Sequence, residues 1–399
     1  MEFLLIYVPN LRFTNLNKLV KVRLGDICTI TGGYAFDSLK MTQKGEYQII
    51  KMGNLYNGIF DLSRNSSFIN APTKKELDYL IQENDILITL TGTTNKKDYG
   101  YTVQMEQPKN LLLNQRCALI RASKVNEKYL FYLLNSNDFL KQFYASSTGG
   151  TGNQTNVSIN DMLDFKVCIS NENDQLKISN ILGALDKKIL TQIKIIDDLV
   201  LQKKYIISSL LKSIQDNEKI MLKDILFDYN IKTTINNEYP VLSSTASGMY
   251  LQSDYFNKET SSDNTIGYKI VPRGYCTYRS MSDTGLFTFN IQNLVEKGIV
   301  SPAYPVFSSN DDYINEFIIL YLNNSSYIKK QILELKSGGT RFALPFSTLC
   351  TLKIPKLEKE KQLSLIKTIT AFERKIENEE IILNALHQQK IFLLNNMFI

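Results

Sequence analysis

Residues Leu182–Ile206, LGALDKKILTQIKIIDDLVLQKKYI, and Ile369–Leu393, ITAFERKIENEEIILNALHQQKIFL, carry one pattern twice. In the first stretch, heptad core positions fall on Leu182, Leu185, Ile189, Gln192, Ile196, Leu199, Lys203 and Ile206. In the second they fall on Ile369, Phe372, Ile376, Glu379, Leu383, Leu386, Lys390 and Leu393. Each position is displaced by 187 residues, and the polar interruptions coincide: Gln192 with Glu379, Lys203 with Lys390. Sustained apolar heptads predict coiled-coil helices, and isolated polar core positions set register and partner number at some cost in stability. Two such helices in one chain most simply pack on each other.

The repeat extends upstream of both helices. Asn126–Asn135, NEKYLFYLLN, matches Asn315–Asn324, NEFIILYLNN. Each is followed by a helical stretch (Asp138 to Tyr144; Ser326 to Leu333) and a glycine pair, Gly149-Gly150 and Gly338-Gly339. A strand-like piece comes next, Phe165-Lys166-Val167 in one half and Leu352-Lys353-Ile354 in the other. The glycine pairs suggest a shared helix-ending turn, and for the same reason Arg341 suits a structural role. Ahead of the helices, Lys21 to Ser170 and Ile220 to Lys356 are rich in Tyr, Phe, Thr and Ile, with alternating runs such as Asp85–Thr89 and Tyr268–Val271. Gly, Asn, Asp and Pro turns punctuate them, which predicts mixed, mainly β domains. Their later parts align; their earlier parts do not. The expected class is α+β, with β-rich domains over 1–170 and 218–356 and helices over 171–217 and 357–399.

Composition bounds the function loosely. The 399 residues hold 46 basic and 40 acidic side chains, a net charge of +6, which suits a nucleic-acid partner without requiring one. Five scattered cysteines (Cys28, Cys117, Cys168, Cys276, Cys350) with no C-x-x-C argue against a disulfide framework and a zinc site, and for a reducing cytosol. His387, the only histidine, excludes histidine-rich metal clusters. Met1 to Val8 is apolar but too short to span a membrane, and no later stretch approaches the required ~18 apolar residues. The expected location is cytoplasmic and no metal is expected on this chain.

Short motifs then fall in a telling order. Val8-Pro-Asn-Leu-Arg-Phe13 and Leu24-Gly-Asp26 open the chain; Asn84-Asp-Ile-Leu-Ile-Thr-Leu-Thr-Gly-Thr93 and Leu113-Asn-Gln-Arg116 follow. Pro240-Val-Leu-Ser243, Gly274-Tyr-Cys-Thr-Tyr278 and Gly298-Ile-Val-Ser-Pro302 lie in the second half. With the helix repeat, this order resembles the specificity subunit of type I restriction-modification systems over nearly the whole chain, although Asn84 stands where that family usually has glycine. The resemblance implies two target-recognition domains, each reading half of a split DNA sequence, held apart by an antiparallel coiled coil with pseudo-two-fold symmetry. It further implies two methyltransferase (modification) subunits and restriction (motor-nuclease) subunits as partners, with S-adenosylmethionine, ATP and Mg2+ used by those partners and no cofactor on this chain. A helix rises ~1.5 Å per residue, so Asp174 to Leu211 would span roughly 60 Å, enough to set two readers on one duplex.

Affinity for DNA comes from cations on phosphates and specificity from side chains on base edges. In the first domain the candidates are Thr91, Thr93, Thr94, Asn95, Lys96 and Lys97, a polar loop after a strand, with Lys51 and Asn54 as a second group. In the second domain they are Ser244, Thr245, Tyr278, Arg279 and Ser280, Arg279 being suited to a guanine edge. Gln115 and Arg116 serve either the fold or DNA. Catalysis has no sequence support: the chain lacks the Asn/Asp-Pro-Pro-Tyr/Phe of amine methyltransferases and the G-x-x-x-x-G-K-[ST] of a motor. Ser147–Gly152 is glycine-rich without a following lysine, and Glu358-Lys-Glu-Lys361 opens a helix on its solvated face. The expectation is a non-catalytic DNA-reading subunit; the rivals are an enzyme with an unrecognised nuclease or methyltransferase site and a coiled-coil scaffold for protein alone.

Overall fold

The computed structural model of the chain describes residues 19–149, 153–255, 264–335 and 342–398. The opening motif at 8–13, Gly150–Gly152, the pair Gly338-Gly339 and Arg341 lie outside them. The fold is α+β, and the chain divides into two compact units: residues up to Ile193 with those from Ile382 onward, and Lys194–Ile381. Two long helices run over Glu172–Ser213 and Lys359–Asn396, and each contributes one part to each unit. The reason is packing. Ile178, Leu182 and Leu185 sit in the core of the first unit with Leu393, while Ile207, Leu211 and Ile214 sit in the core of the second with Ile369.

In the first unit an antiparallel sheet runs in the order Cys28–Gly32, Cys117–Ala122, Ile86–Thr89, Thr102–Gln104. All four residues of Ile86–Thr89 are buried, because the strand is central and covered on both faces. A second sheet places Tyr47–Ile50 between Phe68–Ile69 and, in parallel, Leu111–Leu113. In the second unit the sheet order is Leu226–Asp228, Val306–Ser309, Cys276–Tyr278, Phe289–Ile291. Taken in order of chain position, the two four-stranded sheets have the same topology. The front parts of the two domains, which do not align as sequence, therefore share one scaffold.

The repeat descends to single hydrogen bonds. Gln142 Nε2 donates to the Lys166 carbonyl at 2.9 Å and its Oε1 accepts from the Lys166 amide at 2.9 Å. Gln331 does the same with Lys353, at 3.0 and 2.8 Å. Gln175 and Gln362, also 187 residues apart, are buried at the starts of the long helices; their Oε1 atoms accept from the amides of Asn126 and Ile314. A buried amide is stable only when its polar atoms are bonded, so each glutamine clamps helix to domain at a place only one geometry satisfies. The heptad positions of both helices are buried or half-buried and their neighbours largely exposed. The two lysine interruptions are paired across the helices: within the second unit Lys203 Nζ meets Glu373 Oε1 at 2.7 Å, and within the first Lys390 Nζ meets Asp186 Oδ1 at 2.6 Å.

The five cysteines are free. Burial pushes the Cys28 and Cys117 thiols up to about 12, so neither is a nucleophile. Among the described residues no helix is long and apolar enough to cross a membrane, and no group of side chains is arranged to hold a metal ion.

Candidate nucleic-acid interface

The polar loop of the first unit is a hairpin held from below. Thr91–Thr93 pairs with Gln154–Asn156, which pairs with Thr148–Gly149. The Thr93 hydroxyl and amide both donate to Asp98, at 2.7 and 2.8 Å, and hold that carboxyl below its ordinary range. Asn95 takes a left-handed backbone, φ +63°, which Asn tolerates better than most residues. Thr94, Asn95, Lys96 and Lys97 are thereby exposed at the tip, with Lys97 Nζ 5.3 Å from the Tyr144 ring centroid.

Four of the sequence candidates are buried and bonded within the protein. Asn54 is fully buried: its Oδ1 accepts from the Lys51 amide and its Nδ2 donates to the carbonyls of Asp61 and Arg64. It holds a loop shut. Tyr278 is fully buried and its hydroxyl donates to the Leu344 carbonyl at 2.8 Å. Thr91 is buried and donates to Asn156 Oδ1, while Ser244 is buried and accepts from Asn290 Nδ2. Burial alternates along Leu242–Thr245 and aims Ser244 inward, and Arg279, directly after Tyr278, is exposed. Lys51 is half-buried, its Nζ donating to Ser67 Oγ at 2.6 Å, yet it lines a cleft.

Two clefts adjoin in the first unit. One, of about 390 Å3, is lined by Lys51, Gly53, Gln115 and Arg116 among others. The other, of about 340 Å3, is lined by Thr91, Gln115, Arg116, Gln154 and Asn156. In the second unit, a cleft of about 470 Å3 gathers Ser244, Thr245, Arg279, Ser282, Asp283 and Tyr304 among others. Arg279 is exposed and has no acidic partner among the described residues. Thr245 Oγ1 donates to the Gly248 carbonyl and Ser280 Oγ to the Ala303 carbonyl, so both shape the rim. Gln154, Asn156, Ser282 and Tyr304 were not singled out by sequence. Only the pairing of distant strands brings them to the clefts, and no local signal marks it.

Two further motifs are structural. Asp85, 2% exposed, takes both forks of Arg121 at 2.7 and 3.0 Å and accepts the Gln82 amide. Asn84 before it has φ +65°, and Gly274, in the corresponding turn of the second unit, has φ +84°. The turn needs a left-handed residue, which explains why Asn can replace glycine there.

These clefts define a class: a two-unit protein presenting polar, amide- and arginine-bearing loops on repeated scaffolds. Residues 17–199 match the family model described as "Type I restriction modification DNA specificity domain". Across nearly the whole chain the fold is that of the type I restriction-modification S subunit from M. genitalium, with 15% identity, TM-score 0.54, 98% of this chain and 99% of that one covered. A chain from a structure described as the basis of "complex assembly" and "conformational transition of the type I R-M system" is similar at 14% identity and TM-score 0.59, over 95% and 97% of the two chains. Residues 17–199 thus match a DNA specificity domain, and nearly the whole chain has the fold of type I restriction-modification S subunits.

Proposed function

We propose that the chain reads a bipartite DNA target, one block by residues 1–170 and the other by residues 218–356. The segments 171–217 and 357–399 act as an antiparallel coiled coil that sets the gap between the blocks. The observation that carries this reading is the repetition of one sheet topology in both units with different residues on the loops. A shared scaffold with unshared loops gives two readers with two unrelated preferences. The packing of Leu182, Leu185 and Ile189 with Leu383, Leu386 and Leu393, and the two lysine–carboxylate pairs, support the coiled coil. In the first unit Thr94–Lys97 and Lys51 face the duplex; in the second Thr245, Arg279 and Ser280 do. Asn54, Thr91, Ser244 and Tyr278 hold those loops in place. Two methyltransferase subunits and the restriction subunits supply S-adenosylmethionine, ATP and Mg2+ chemistry, and the complex works in the cytoplasm.

The test is methylome sequencing of the chain assembled with two methyltransferase subunits. The expected motif is two short blocks separated by unspecified base pairs. Arg279→Ala should relax one position of one block, at about 1–3 kcal/mol of discrimination, and leave the other block intact. A motif changed in both blocks, or in neither, overturns the assignment. Binding with little salt dependence would favour the protein-scaffold reading instead.

A further inference from the structure

We infer that Gln115 and Arg116 form a base-reading finger of the first unit, with Arg116 contacting a guanine edge; this rests on the proposed reading of DNA by that unit. The backbone is the first reason. Seven described non-glycine residues have positive φ; six are asparagines and the seventh is Arg116, at +71°. The left-handed region penalises any side chain with a Cβ, and Asn is spared by local hydrogen bonds that Arg cannot make. A turn that served the fold alone would be met at lower cost by Gly or Asn. The guanidinium is what the position is kept for, in the sense that an unfavourable conformation persists where surrounding structure over-determines it and function uses it.

The surroundings do over-determine it. The Asn114 amide donates to the Ile50 carbonyl at 3.0 Å, the Gln115 amide to that of Tyr34 at 2.8 Å, and the Leu90 amide to that of Arg116 at 2.9 Å. Gly33 lies so close that a Cβ there would sit 2.0 Å from the Asn114 carbonyl oxygen. Three chain segments thus grip one turn and leave its two side chains exposed. Rigid presentation of this kind lowers the ordering cost of binding.

The side chain is also unclaimed. Arg23, Arg64 and Arg121 of the same unit all have acidic partners, whereas Arg116 has none among the described residues. It lines both clefts of the unit, between Lys51 on one side and Gln154 and Asn156 on the other. A guanidinium fork matches guanine O6 and N7, and a carboxamide matches adenine N6 and N7. Gln115 and Arg116 together are therefore equipped to read adjacent base pairs.

Arg116→Gly and Arg116→Lys, each in the full chain assembled with methyltransferase subunits, test this by thermal melting and methylome sequencing. Arg116→Gly should melt no lower than wild type, because glycine accepts the backbone, while discrimination at one base pair of the first block falls about 5- to 150-fold. Arg116→Lys should lose that discrimination as well, since an ammonium keeps the charge without the fork. An unchanged motif in both variants overturns the inference. So does a uniform weakening at all sites by Arg116→Gly that Arg116→Lys restores, which is the signature of a phosphate contact. A wild-type complex that methylates no bipartite motif instead brings down the broader reading on which this one stands.

Discussion

Neighbouring residues in these loops have opposite fates, and substitutions should separate them. Asn54 and Asn95 are the same residue type in polar turns, but one amide is spent on three backbone partners in the interior and the other is exposed. Asn54→Ala strands the Lys51 amide and two carbonyls away from water, at a cost of about 2–3 kcal/mol. The expected result in thermal denaturation is a lower melting temperature with an unchanged methylation motif at permissive temperature. Asn95→Gly accepts the left-handed backbone, so stability should hold while one position of the first block relaxes. If Asn95→Gly leaves the motif intact, the hairpin tip is not a reader. The same contrast shows why single residues were only partly legible in the sequence. Composition marked both Asn-bearing turns as polar, and Tyr278 and Arg279 as a pair. Which of each faced the core depends on strand pairing, such as Cys276–Tyr278 against Phe289–Ile291, that no local pattern encodes.

At the scale of elements the sequence was far more legible, because heptad spacing alone determines which side of a helix is buried. Every core position of both long helices is buried or half-buried. What the spacing could not supply was the partner of each lysine interruption. Lys203 meets Glu373 and Lys390 meets Asp186, and these acids are themselves 187 residues apart, so each pair is the repeat image of the other. The images are not energetically equal. Asp186 also accepts the Tyr132 hydroxyl at 2.7 Å and its side chain is 27% exposed, against 53% for Glu373. Lys390→Ala leaves a half-buried carboxylate without its cation and should cost about 1–2 kcal/mol, while Lys203→Ala should cost under about 1 kcal/mol. Equal losses in chemical denaturation would show that burial does not distinguish the pairs. An Asp186→Lys, Lys390→Asp exchange should recover part of the loss, which a purely steric role for Lys390 would not allow.

For the whole molecule, the proposed division of labour makes the gap a property of the helices and the blocks a property of the loops, so the two should vary independently. Inserting one heptad into both helices, after Lys203 and at the facing position before Phe372, preserves the seam, since seven residues complete nearly two turns. It lengthens the pair by ~10 Å, about three base pairs at ~3.4 Å each. Methylome sequencing should then return the same two blocks with a gap two to three base pairs longer. A single-residue insertion rotates everything beyond it by ~100°, carrying the apolar stripe out of the seam, and should abolish folding instead. Altered bases with an unaltered gap would mean that the helices shape the readers rather than separate them. The proposal would then be wrong in its central step, even though each scaffold remained a DNA reader.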